Sequence, residues 1–201
     1  MNPLLLLGTI IWIYVLSVLR RAHLPAYFFI VGSVGLFFIL IALGDPYWVW
    51  FFTHAVIAAI NGLGQLTGMC DVMSQYGIVH ILSANATTLL TIDYECSGII
   101  ETTAFVALVV FFPAYSAPER TFYALFGILW IYLDNVLRLT IVITIIHFFG
   151  PEAFFMAHTI IGRLVFYVLV IILYYNVFTY TQMARGLYTH VHRLIGGGAH
   201  D

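Results

Sequence analysis

The stretch PAYFFIVGSVGLFFILIAL, residues 25–43, carries no charged side chain over nineteen positions. A helix needs about 20 mostly apolar residues to cross the hydrocarbon core of a bilayer. The stretch has that length, and four others meet or approach it: Pro3–Leu19, Ser97–Phe112, Thr121–Phe149 and Ala157–Phe178. The whole chain agrees. Of 201 residues, 63% are hydrophobic and 8% charged, with a mean hydropathy of +1.03. A soluble domain carries roughly 25% charged residues to cover its surface. Lipid is therefore the solvent, and the expected fold is an all-α polytopic membrane protein of five to six transmembrane helices.

Sidedness follows from the arginines. Arg20-Arg21 comes after the first apolar run, whereas a signal peptide has its positive charge before it. The positive-inside tendency then places Arg20-Arg21 in the cytoplasm and the N-terminus outside. The segment Tyr47–Leu66 is ambiguous, since Asn61-Gly62-Leu63-Gly64-Gln65 weakens its second half. If it lies in the interface, Arg120, Arg185 and Arg193 fall inside, and Asp45, Asp71, Asp93, Glu95 and Glu152 fall outside. If it crosses, those arginines move outside. The interfacial arrangement is favoured, and Trp48 and Trp50 suit an interface.

Four regions result: N-terminal helices with an interfacial segment (1–66), an extracytoplasmic segment (67–95), a second helical set (96–180) and a cytoplasmic tail (181–201). Within the second, Gly77–Ser83 and Thr87–Asp93 are rich in Ile, Val and Thr and flank Ala84-Asn85-Ala86. That pattern predicts a small hairpin on the outer face. Asn85 heads a formal glycosylation triplet, for which a turn asparagine is the plainer reading. Gly196-Gly197-Gly198 predicts a flexible C-terminus.

Composition also excludes. The net charge of −2 and the lack of a basic stripe argue against nucleic acid. Cys70 and Cys96 fit neither a C-x-x-C motif nor zinc spacing, and no H-E-x-x-H occurs. No metal or cofactor is expected.

Polar groups at membrane depth are expensive, so they are the informative ones. Cys96, in Glu95-Cys96-Ser97-Gly98, stands where the outer segment meets a span. A helix N-terminus favours thiolate, the nucleophilic form. The bland alternatives are a packed apolar cysteine or a Cys70–Cys96 disulfide. Gly98 allows a close approach by substrate or helix. Arg138 lies about 26 Å along a helix from Thr121 at 1.5 Å per residue, which puts it in the outer half of the membrane. Asp134 and Asn135 share its face, and a buried Asp134–Arg138 pair is the structural alternative. His158 stands near the outer start of the last span, with His147 as a second candidate. Arg163 either snorkels or pairs with Glu101. His23, His54 and His80 read as loop or interface residues; His190, His192 and His200 belong to the tail.

Cysteine, arginine and histidine thus converge on the outer face from three segments. A thiolate, a proton carrier and a cationic donor for an oxyanion are what acyl transfer through cysteine requires. Over roughly Gly77–Phe178, the ordered set Cys96-Ser97-Gly98, Asn135-x-x-Arg138 and His158 resembles the exosortase/archaeosortase family of membrane cysteine transpeptidases. The resemblance implies Cys96 as nucleophile, Arg138 as oxyanion or substrate stabiliser, and His158 as acid/base, with Asn135 helping to position Arg138. It implies as partner a membrane-anchored protein whose C-terminal sorting signal (motif, apolar helix, basic cluster) is cleaved through a thioester and passed to a surface acceptor or water. The short chain is more similar to compact Gram-positive members. A non-catalytic transporter or structural subunit of an envelope-polymer export system is the alternative, although no matched halves are visible. A haem protein using two of His54, His80, His147 and His158 is disfavoured, because they lack a pairing on facing helices.

Overall fold

The computed structural model describes residues 3–44, 47–74, 76–83, 87–92 and 96–180. Asn85, Asp93, Glu95 and the C-terminal tail lie outside these described residues. Helices α1 (Pro3–Arg21) and α2 (Pro25–Gly44) form the N-terminal hairpin, and α3 (Tyr47–Thr67) follows directly. Strands β1 (Cys70–Met73), β2 (Ile78–Leu82) and β3 (Thr87–Thr91) come next. Then come α4 (Ile99–Phe111), α5 (Ala117–Phe149), a short turn of helix at Pro151–Ala153, a π-helical turn at Phe155–Ile161, and α6 (Gly162–Tyr174), which widens again over Tyr175–Tyr180. Among the described residues, five helical segments are long and apolar enough to cross a membrane: α1, α2, α3, α5 and the run Pro151–Thr179.

α5 organises the rest. Ser116 caps it, with Glu119 Oε2 accepting from both Ser116 N and Ser116 Oγ at 2.8 Å. This reciprocal box satisfies backbone donors that a helix start leaves unpaired. Pro118 in the first turn needs no such partner. From there the helix runs 33 residues, about 50 Å at 1.5 Å per residue, against a hydrocarbon core of about 30 Å. One bilayer core cannot cover it, and α5 accordingly passes through two packed layers.

In the first layer, Phe105 and Val109 of α4, Ile131 of α5, and Phe166 and Leu173 of α6 share one core. In the second, Val56 and Ile60 of α3, Val79 and Ile81 of β2, and Leu139 and Ile143 of α5 share another, joined by Cys70 and Cys96. α3 therefore packs with the sheet and the far half of α5. Its first turns meet α4 at the start, where Trp48 and Phe52 line a cavity with Ile99 and Thr102. Tyr132 of α5 donates to the carbonyl of Ala55 at 3.2 Å.

The expected span Ser97–Phe112 is shorter than expected. Gly98 starts α4 in a left-handed conformation (φ 70°) and the helix ends at Phe111, giving 13 residues, about 20 Å. That is too short to cross alone. α2 lies along it, with Phe28 and Phe29 edge-on to Phe111 and Phe112.

The hairpin exists as β2 and β3, antiparallel, with Val79 opposite Leu90 and Ile81 opposite Thr88. β1 adds a third strand, Cys70 pairing with Ile81, so the order is β1-β2-β3. Alternation puts Cys70, Val79, Ile81 and Leu90 into the core. The sheet is tied to the far end of α5, where His147 Nδ1 donates to the carbonyl of Leu82.

Candidate active site

The site forms at the seam between the two layers. A cleft of about 250 Å³ is lined by Cys96 just before α4, Ile100 and Glu101 from its first turn, Arg138 from α5, and His158, Arg163, Phe166 and Tyr167 from the last segment. All three residues of the expected triad are brought together, from positions 96, 138 and 158.

Cys96 and Ser97 are buried, and β3 and α4 hold them from either side. Two residues on, Gly98 has φ +70°, where an L side chain is strained. Its carbonyl accepts from Thr102 N at 3.0 Å and Thr102 Oγ1 at 2.8 Å, which fixes the first turn of α4. Cys96 thus sits just outside a helix N-terminus, where backbone N–H groups and the helix dipole favour negative charge. Both cysteines are free thiols, so the disulfide alternative does not describe this structure. Cys70 is buried in the sheet layer; burial, and then the neighbouring Asp71 charge, push its thiol pKa up.

His158 Nε2 lies 3.7 Å from Cys96 Sγ. Its ring stacks on Phe154 at 5.5 Å between centroids and 9° between planes. The π-helical turn over Phe155–Ile161 carries it; such turns re-aim a side chain within an otherwise regular helix. Phe154, His158, Gly162 and Phe166 follow at four-residue steps along this segment.

Arg138 is 7% exposed, its Nε has no hydrogen-bond partner, and its guanidinium carbon is 5.8 Å from the Phe166 centroid. A cation over an aromatic face gains about 0.5–2 kcal/mol and keeps its edge donors free. Gly162 lets α6 come close to α5 beside the arginine stem: a Cβ there would lie 2.9 Å from Val142 Cγ2, with Arg138 Cγ at an ordinary 3.5 Å. The structural alternative, a buried Asp134–Arg138 pair, gains no support here, since Asp134 Oδ2 and Arg138 Nε both lack a hydrogen-bond partner.

Asn135 has a different contact from the expected one. Fully buried, it donates from Nδ2 to the carbonyl of Cys96. It therefore holds the backbone of the cysteine, where its expected partner was Arg138. Arg138 has only donors, so Nδ2 can bond the Cys96 carbonyl but not the guanidinium, while Asn135 Oδ1 and Arg138 Nε are both left without a hydrogen-bond partner. His147 is occupied by Leu82, and His54 bonds the Trp50 carbonyl through Nδ1 at 2.8 Å while stacking on Trp50. Neither reaches the cleft. Among the described residues no group of three or more His, Cys, Asp or Glu is placed to hold a metal.

A larger cavity, about 490 Å³, lies between α2, α3 and α4. It has no ionisable lining. Its two hydroxyls, Thr102 and Thr103, are spent on the carbonyls of Gly98 and Ile99. It has space without chemistry, so the smaller cleft is the candidate site.

The cleft brings a thiol, an imidazole and a guanidinium together among helices apolar enough to cross a membrane. The sequence matches the transmembrane exosortase family over residues 1–175, and the chain belongs to that family. No curated protein and no solved structure matches it. Phe154 and Phe166 are the supports that the sequence did not disclose. An aromatic residue on an apolar helix carries no signal until the packing is known, although their spacing from His158 was available.

Proposed function

We propose that the protein is a membrane cysteine transpeptidase acting on exported proteins that carry a C-terminal sorting signal. The observation that carries this reading is the 3.7 Å approach of Cys96 Sγ to His158 Nε2 beside the buried Arg138. His158 takes the thiol proton, and the thiolate attacks the scissile carbonyl. Arg138 stabilises the resulting oxyanion; a charged donor in a water-poor site acts strongly because little reorganisation is needed. As the tetrahedral adduct collapses, the C–N bond breaks and His158 returns its proton to the leaving amine. A thioester on Cys96 remains. An acceptor nucleophile, deprotonated by His158, attacks it and restores the thiol; water in that role gives hydrolysis.

Charge supports an extracytoplasmic site. Arg20 and Arg21 end α1. The start of α2 beside them meets the far end of α4, through Phe28 against Phe111. Arg120 donates to the Phe112 carbonyl at that same end. The arginine-rich end of the bundle is thus opposite the cleft, and the positive-inside tendency makes it cytoplasmic. In this orientation α3 and the sheet form an outer layer on the bundle, with the exposed Tyr47, Trp48 and Trp50 at the interface.

The test is co-expression with an exported protein ending in a sorting signal, followed by mass analysis of the enzyme after rapid acid quench. Wild type should show a thioester on Cys96, and Cys96→Ala, Arg138→Ala and His158→Ala should leave substrate unprocessed while still inserting. Normal processing by all three variants would end the proposal, and would leave a transporter or structural subunit as the better reading.

A further inference from the structure

The proposed chemistry uses Cys96, His158 and Arg138, but the same cleft has two more formal charges. Glu101 stands on the α4 wall and Arg163 on the α6 wall. Both helices pack on α5; Glu101 is half-buried and Arg163 exposed at the cleft's edge. Neither charge has an ion-pair or hydrogen-bond partner among the described residues, so of the two readings of Arg163 the pairing with Glu101 is not formed. An ionisable side chain in a membrane helix is expensive, and the usual recompense is a partner or a ligand. Here two opposite charges line one cavity from different helices, each about one and a half helical turns along the chain from a reacting group: Glu101 is five residues after Cys96, and Arg163 is five after His158.

We propose that Glu101 and Arg163 are specificity-determining residues that read charge next to the reacting carbonyl. The α4 wall takes a cationic group of the substrate or acceptor, and the α6 wall takes an anionic one, a carboxylate or a phosphate. Arg163 suits the second role, because a guanidinium binds either anion through two parallel donors. This deepens the transpeptidase reading and rests on it. The cleft's charge asymmetry can nevertheless be measured with no substrate at all.

The chain has only two cysteines, so Cys70→Ala leaves Cys96 as the sole thiol. In purified full-length protein, its modification rate is measured with three methanethiosulfonates: a cationic trimethylammonium-ethyl, an anionic sulfonato-ethyl and the neutral methyl reagent. Dividing by the neutral rate removes any change in the reactivity of the thiol itself. Glu101→Gln should lower the cationic-to-neutral ratio, and Arg163→Gln should lower the anionic-to-neutral ratio, each by about fivefold or more for a unit charge close to the thiol. Arg163→Lys should retain most of the anionic preference. If Arg163 points into lipid and Glu101 is a passive wall, both ratios stay at the Cys70→Ala values and the proposal is overturned. It is equally overturned if Cys96 resists all three reagents in the folded protein but reacts after unfolding, because a closed cavity reads no charge. A charge-dependent ratio without any trapped thioester would instead refute the transpeptidase reading and leave the binding cleft standing.

Discussion

Asn135 Nδ2 donates to the carbonyl oxygen of Cys96 and so ties the middle of α5 to the backbone of the proposed nucleophile. A buried bond of this kind is worth about 1 kcal/mol net, and more when its loss leaves a buried carbonyl unpaired. Asn135→Ala should slow acyl transfer about tenfold, in line with 1.4 kcal/mol per decade. Asn135→Asp keeps the shape but presents only acceptors to the carbonyl, and should be the worse of the two. Initial rates of substrate processing, beside thermal unfolding in detergent, provide the check. Equal rates for wild type, Asn135→Ala and Asn135→Asp would mean that the contact does not position Cys96.

The two thiols should be chemically distinct. Cys70 lies in the sheet core with its pKa raised above the ordinary 9.0 by burial and by Asp71, so its thiolate is scarce near neutral pH. Cys96 lines the cleft. Iodoacetamide at pH 7.5 should therefore label Cys96 first, as read by peptide mass mapping. The same shift has a stability consequence. Below pH 9.0 the Cys70 thiol is protonated in both folded and unfolded chains. Above it the unfolded chain loses the proton first, so stability falls as pH rises toward the folded value. Cys70→Ala should flatten that alkaline decline. Preferential labelling of Cys70 would overturn the assignment.

Much of this was legible in the sequence because lipid imposes a simple rule: uncharged runs of about 20 residues become helices. Cys96, Arg138 and His158 stood out for the same reason, as costly groups in apolar surroundings. What was hidden depends on packing. β1 has four residues, one of them Asp71, and becomes a strand only because β2 offers it an edge. α4 looked like a span because residues 97–112 are apolar, yet its neighbour α2 covers it and removes the need for full length. The run Thr121–Phe149 was read only as one span; the structure extends α5 to 33 residues, longer than one bilayer core, and the packing shows the second layer it enters. The partner of Asn135 could not be read from helical spacing, which places Arg138 on its face but says nothing of the Cys96 carbonyl arriving from another segment.

Gly98 offers a conformational test next to the nucleophile. A Cβ there would meet Ile131 Cγ2 at 3.5 Å and Asn135 at 3.8 Å, which are ordinary contacts, so the penalty is one of backbone and not of space. An L residue at φ +70° pays about 1–2 kcal/mol, and Asn pays less than Ala because it visits this region more readily. Stability and processing should therefore fall in the order Gly, Asn, Ala, Val. Differential unfolding of the four proteins measures it. An alanine variant as stable and active as wild type would show that the left-handed turn is not required.

Gly162 tests space where Gly98 tests conformation. An added Cβ would come within 2.9 Å of Val142 Cγ2 and 3.0 Å of the Ala157 carbonyl, with Arg138 Cγ at 3.5 Å. Two of these contacts are too close, so Gly162→Ala must push α6 from α5 or displace the π-helical turn that carries His158. Overpacking of this kind costs about 1–3 kcal/mol. The movement separates His158 and Phe166 from α5, so processing should drop further than stability alone would account for. Val142→Ala removes the nearest clashing methyl and leaves the Ala157 carbonyl in place. The double variant Gly162→Ala/Val142→Ala should therefore recover part of the lost stability, giving a favourable coupling energy in a double-mutant cycle. If the two substitutions add with no coupling, the close approach of α6 to α5 at Gly162 is not what holds Arg138 and His158 in register.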